Sequence, residues 1–212
     1  WLAFQRGDTD LEYQLAEGDR RFVTPLIDDL SRGQIAGDDL ARYLHLLHMR
    51  DRDRVIEKRT RGQNTEGSGI TAAEGDRMWR ELEAKYGPAR EDRIAKLEPA
   101  RALVRQMLDH TLATRIRAGE ITKDQAESWR ERFREHYVPQ QTVEADEGPG
   151  TGVGFDVASR PVQYAGGRYT PAFNSVAVTV AEMQRAIDRA ERARGFRALL
   201  EFVSANPELG WE

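Results

Sequence analysis

Residues 99–125 read PARALVRQMLDHTLATRIRAGEITKDQ, and this stretch decides the fold. Leu103, Val104, Met107, Leu108, Leu112 and Ile116 recur at 3.6-residue spacing, which gives a helix one apolar stripe. Pro99 suits a first helical turn, where a missing amide costs little, and Gly119 supplies the stop. Thr122-Lys123-Asp124-Gln125 then has the form of a capping box, in which each end side chain accepts from the other residue's backbone N–H. A second helix follows with Ala126, Trp129 and Phe133 inward. With only residues 118–121 between them, the two are expected to fold back as an antiparallel hairpin.

On the N-terminal side, Thr71-Ala72-Ala73-Glu74 repeats the box and predicts a helix with Met78, Trp79, Leu82 and Tyr86 on its stripe, ended by Gly87-Pro88. A helix beginning at Gly37–Asp38 carries Leu40, Tyr43, Leu44, Leu47 and Val55. Asp38 or Asp39 would meet the positive end of its dipole. A helix near 19–31 has Phe22, Leu26, Ile27 and Leu30 on one face and Gly33 as its stop. Residues 1–18 read as acidic and irregular, because Gly18 breaks the helical spacing of Leu11 and Leu15.

Composition changes after Tyr137-Val138-Pro139. Residues 139–175 contain four Pro and six Gly, so a Gly/Pro-rich loop or linker is expected there. A long helix then spans about Ser175 to Ala205, with Val176, Val180, Met183, Ile187 and Ala190 in heptad-like order. Gly195 interrupts it, Phe196, Leu199, Leu200 and Val203 resume on a shifted face, and Asn206-Pro207 ends it. The chain therefore reads as all-α, an irregular array of about six helices. Residues 1–138 form a helical domain, 139–175 a loop or linker, and 176–212 a long C-terminal helix packing on that domain. No alternation builds a sheet, and no period marks a solenoid.

The 212 residues include no Cys, which excludes thiol catalysis, disulfides and Cys-ligated zinc. No run approaches the roughly 18 apolar residues of a membrane span, and the N-terminus lacks a secretory pattern. The first residue is Trp1 rather than Met, so an excerpt of a longer polypeptide is expected.

Of the 32 basic residues 28 are Arg, against 36 acidic residues. Residues 1–40 are net acidic, whereas Arg42–Arg61 and Met183–Arg197 are locally basic. Faces laced with i, i+3 and i, i+4 ion pairs account for most of that pattern. Phosphate binding is the alternative, since Arg is a planar bidentate donor. Its candidate nucleic-acid contacts are Arg50, Arg54, Lys58 and Arg59 on one helix and Arg185, Arg189 and Arg192 on the other.

Other chemistry is sparse. His45, His48 and Asp51 are spaced to share a helix face, but Leu44, Leu46, Leu47 and Met49 surround them and no further ligand has diagnostic spacing. Surface or half-buried polar histidines are expected, with no metal. Gly150-Thr151-Gly152-Val153-Gly154 lacks the strand, helix and Lys-Ser/Thr of a phosphate loop and reads as an acidic connector. Hydrolase elbows, zinc helices and kinase patterns are absent, Gly67-Ser68-Gly69 lacks an elbow's flanks, and no catalytic residue or cofactor is assigned.

Several stretches in order resemble large phage and prophage polyproteins, called large polyvalent or internal virion (ejection) proteins. They are Tyr43-Leu44-His45-Leu46-Leu47-His48-Met49-Arg50-Asp51-Arg52-Asp53-Arg54-Val55-Ile56, then Gly67-Ser68-Gly69-Ile70-Thr71-Ala72-Ala73-Glu74, then Gly119-Glu120-Ile121-Thr122 and His136-Tyr137-Val138-Pro139. Gly167-Arg168, Arg189-Ala190-Glu191-Arg192-Ala193-Arg194 and Ala198-Leu199-Leu200-Glu201-Phe202-Val203-Ser204-Ala205-Asn206-Pro207 resemble the family's C-terminal part. Gln140-Gln141 and Gly195 depart from its pattern.

The resemblance implies a non-catalytic helical structural or interaction segment of a very long protein associated with DNA delivery, in the virion interior or the host bacterial cytoplasm. Its partners would be other domains of the parent polyprotein or virion proteins, with DNA as a further possibility. The alternatives are a nucleic-acid-binding helical domain, or an accessory region of a virion-packaged enzyme such as an RNA polymerase.

Overall fold

The computed structural model describes residues 2–63, 68–86, 90–133, 138–139 and 174–207, without the side chains of 2–9, 50, 86, 90–96, 129, 132 and 133. Among these, seven α-helices occur and no strand: α1 (Leu2–Gly18), α2 (Thr24–Gly33), α3 (Gly37–Arg59), α4 (Ala72–Tyr86), α5 (Arg90–Ala118), α6 (Lys123–Phe133) and α7 (Ser175–Ala205). A π-helical turn, Asp19–Val23, joins α1 to α2. The fold is all-α. Among the described residues, no helix is long and apolar enough to cross a membrane.

The turn after α5 follows the sequence logic. Gly119 adopts φ +79°, a left-handed conformation that side chains resist. Its N–H reaches the Ile116 carbonyl and that of Glu120 reaches Arg115, the paired bonds of a Schellman ending. Thr122 and Gln125 then close the capping box in both directions, at 3.2 and 2.9 Å. Arg130 of α6 meets Asp109 of α5 at 3.5 Å, so α6 folds back antiparallel. At α4 only half the box forms. Thr71 Oγ1 accepts from the Glu74 N–H, while the Glu74 carboxylate pairs with Arg77.

Three expectations are corrected. Residues 2–18 are helical, and Gly18 continues the helix because its missing side chain lets α7 approach. A Cβ there would lie 3.3 Å from Ile187 Cδ1 and Met183 Cε. Pro99 lies inside α5 and not in its first turn. The burial seam explains why: Leu97, Ala100, Val104 and Met107, then Thr111 and Thr114, are all buried at alternating spacings of three and four, so core packing extends N-terminal of the proline. In α7 the helix passes through Gly195 without interruption.

Smaller departures follow the same physics. Gln34, not Gly33, takes the left-handed ending of α2, at φ 52°. Ile27, expected inward, is 57% exposed. Tyr86, Trp129 and Phe133, expected inward, have side chains outside the described set, as does nearly all of the 139–175 loop.

Helix α1 runs antiparallel to α7, and the turn that follows α1 reaches α5. Asp10 pairs with Arg194 near one end, Gly18 abuts Met183 and Ile187 further along, and Phe22 packs on His110 of α5 at 5.2 Å. Helices α3 and α4 form an antiparallel pair, with Lys85 on Asp39 at 2.6 Å at one end and Gly75 against Met49 at the other. Asn174 accepts from the N–H groups of Val176 and Ala177 to cap α7, and donates to Asp38 at 3.2 Å. The core joins Phe22, Leu26, Leu40, Leu44, Val104, Met107 and Met183.

Candidate functional site

The Tyr43–Ile56 stretch and residues 68–74 meet physically. Asp53 of α3 accepts from the Ser68 N–H at 2.7 Å, and the buried Ser68 hydroxyl donates to the Ile70 carbonyl at 3.2 Å. A carboxylate fastening a backbone amide holds the segment entering α4 against α3. This clasp is structural. His45 and His48 are buried, at 6% and 0% exposure, and not surface or half-buried as expected. They sit at spacing that α3 shares with its core residues Leu44 and Ile56. Among the described residues, no cluster of three His, Asp or Glu is placed to hold a metal ion.

The seven candidate nucleic-acid contacts lie on two helices, α3 and α7. On α3, Arg54 pairs with Asp51 at 3.0 Å, Lys58 and Arg59 are exposed in the last turn, where they complement the helix dipole, and the Arg50 side chain lies outside the described set. On α7, Arg185 pairs with Glu182 at 3.0 Å and Arg192 with Asp188 at 2.9 Å. Arg189 faces Glu120, whose carboxyl pKa is raised, chiefly by burial and against the pull of Arg115 and Arg189. Each α7 contact is thus held near a carboxylate.

Two features stand out that the charge pattern does not single out. In the last turns of α7, Phe196 (47%), Leu199 (51%), Leu200 (66%) and Phe202 (50%) are partly exposed. Phe196, Leu199, Leu200 and Val203 follow i, i+3, i+4, i+7 spacing, so they share one stripe. The sequence shows that stripe, but not that Leu199 and Leu200 on it stay exposed.

The second is a cleft of about 240 Å³ between α1, α5 and α7, lined by His110, Thr114 and Arg117 of α5 and by Glu191, Arg194 and Arg197 of α7. The α5 residues recur at i, i+4, i+7, a polar strip legible in the sequence beside the apolar stripe. His110 has its pKa lowered by burial first, then by Arg117 and Arg21. Comparison with known proteins adds nothing to this geometry: the chain matches no family model, no curated protein and no solved structure.

Proposed function

We propose that this chain is a non-catalytic helical structural or interaction module, as a segment of a large phage internal virion protein associated with DNA delivery would be. The exposure of Leu199, Leu200 and Phe202 near the end of α7 is the observation that carries this reading. Three large apolar side chains, Leu199, Leu200 and Phe202, exposed along one helix end mark a contact surface on a charged exterior. The pairing of Arg54, Arg185 and Arg192 with carboxylates supports contact with protein over contact with nucleic acid. The partners are other domains of the parent polyprotein or virion proteins.

Joint substitution Leu199→Glu and Leu200→Glu tests the surface. Both positions are exposed, so stability is expected to change by no more than about 0.5 kcal/mol each. Fluorescence of an apolar dye bound by the unsubstituted chain should fall to background in the variant. Undiminished dye binding would place the contact surface elsewhere and remove the support for this reading.

A further inference from the structure

We propose that the cleft between α1, α5 and α7 binds a phosphate group, held by Arg117 and Arg197 and recognised through its proton by Glu191. The inference is independent of the α7 contact surface. Three guanidinium groups line the cleft, and their partners differ. Arg194 is neutralised locally by Asp10 and by Glu191 at 2.8 Å. Arg117 donates to the Thr114 hydroxyl at 3.1 Å and Arg197 to the Ala118 carbonyl at 3.3 Å, both uncharged acceptors. Neither has a carboxylate partner among the described residues.

Two cations facing one cavity with only neutral acceptors leave charge and N–H donors for an anion. Arg21, near His110 on the α5 side, adds to the positive potential. A tetrahedral oxyanion can accept from both guanidinium groups at once, in the charge-assisted geometry Arg favours. Glu191 would repel a fully ionised anion but can accept from a P–OH, so the site suits hydrogen phosphate or the monoanion of a phosphomonoester, which carry that proton, over sulfate. About 240 Å³ is below the roughly 300 Å³ of drug-sized pockets, so the cleft encloses a phosphate and little more, and any larger attached group would extend out of it.

Inorganic phosphate titrated into the full chain, followed by NMR of the His110 ring, tests this. Burial, Arg117 and Arg21 depress the imidazole pKa, while Glu191, Arg194 and Arg197 face it across the cleft from α7 and the neutral Gln14 from α1. A bound anion opposes the depression, so the titration midpoint should move upward as the site saturates. Arg117→Gln and Arg197→Gln should each weaken phosphate by about tenfold or more while keeping the melting temperature. Sulfate should bind about tenfold more weakly than phosphate, because Glu191 gains no proton from it.

No saturable change, equal binding by Arg117→Gln, or sulfate matching phosphate would overturn the proposal. Two further ligands identify the source among supporting outcomes. Adenosine monophosphate exceeding inorganic phosphate points to a nucleotide, and a gain conferred by a 5′-phosphate on an oligonucleotide points to a nucleic-acid end.

Discussion

Tyr43 is 4% exposed, donates to Glu98 Oε1 at 2.5 Å and lies with its ring centroid 5.9 Å from that of Trp79. Burial first, then the Glu98 hydrogen bond and charge, raises its pKa above the ordinary 10.0. The folded chain therefore keeps a proton that the unfolded chain releases above that value. The resulting stability is fully present below about pH 10 and is lost as pH rises toward the raised folded value. Tyr43→Phe should cost about 1 kcal/mol at neutral pH. Glu98 keeps its pair with Arg101 at 2.7 Å, so the substitution does not strand a carboxylate. Urea unfolding at rising alkaline pH should show a shallower loss of stability in the variant than in the parent. An identical slope would mean that Tyr43 does not set the alkaline limit.

At the scale of elements, α5 carries a conflict between local preference and packing. Pro99 removes one backbone donor inside a helix, and its exposed position gives little packing in return. Leu97 and Ala100, buried at 2% and 0%, hold the helix through it. Pro99→Ala should restore the donor and stabilise the chain by about 1–3 kcal/mol, read as an upward shift in thermal unfolding. No shift would show that the helix has already adapted around the ring.

The same conflict explains what the sequence made legible and what it hid. Boundaries written in local chemistry could be read directly: Gly119, the Thr122–Gln125 box, Asp38 and Asp39 in the first turn of α3, and Asn206 at the end of α7. Residues with two uses misled. Gly18 suggests a break when only the helix spacing of Leu11 and Leu15 is in view, yet its function is to admit Met183 and Ile187 from a helix far along the chain. Gly195 suggests an interruption that the continuous α7 does not have. The basic residues could be read as charges, but Asp10 on Arg194 and Glu182 on Arg115 are partners that only the folded chain supplies. The cleft joins His110 and Arg117 to Arg197 from distant segments, so only its α5 strip had a periodic trace.

For the whole molecule, charge bears on the functional readings. The chain is net −4, with basic residues woven into ion pairs both along helices and between them. A duplex-binding surface needs several cations free to replace counterions, and each phosphate contact steepens the dependence on salt. Here Arg54, Arg185, Arg192 and Arg194 are engaged, while Leu199, Leu200 and Phe202 near the end of α7 are exposed. Binding of a fluorescent, hydroxyl-ended DNA duplex, followed by anisotropy over rising salt from about 50 to 200 mM, tests that division most directly. The account predicts no saturable binding even at the lowest salt. Saturable binding that falls steeply with salt, and that is lost when Arg54, Lys58 and Arg59 are changed together to Gln, would contradict it.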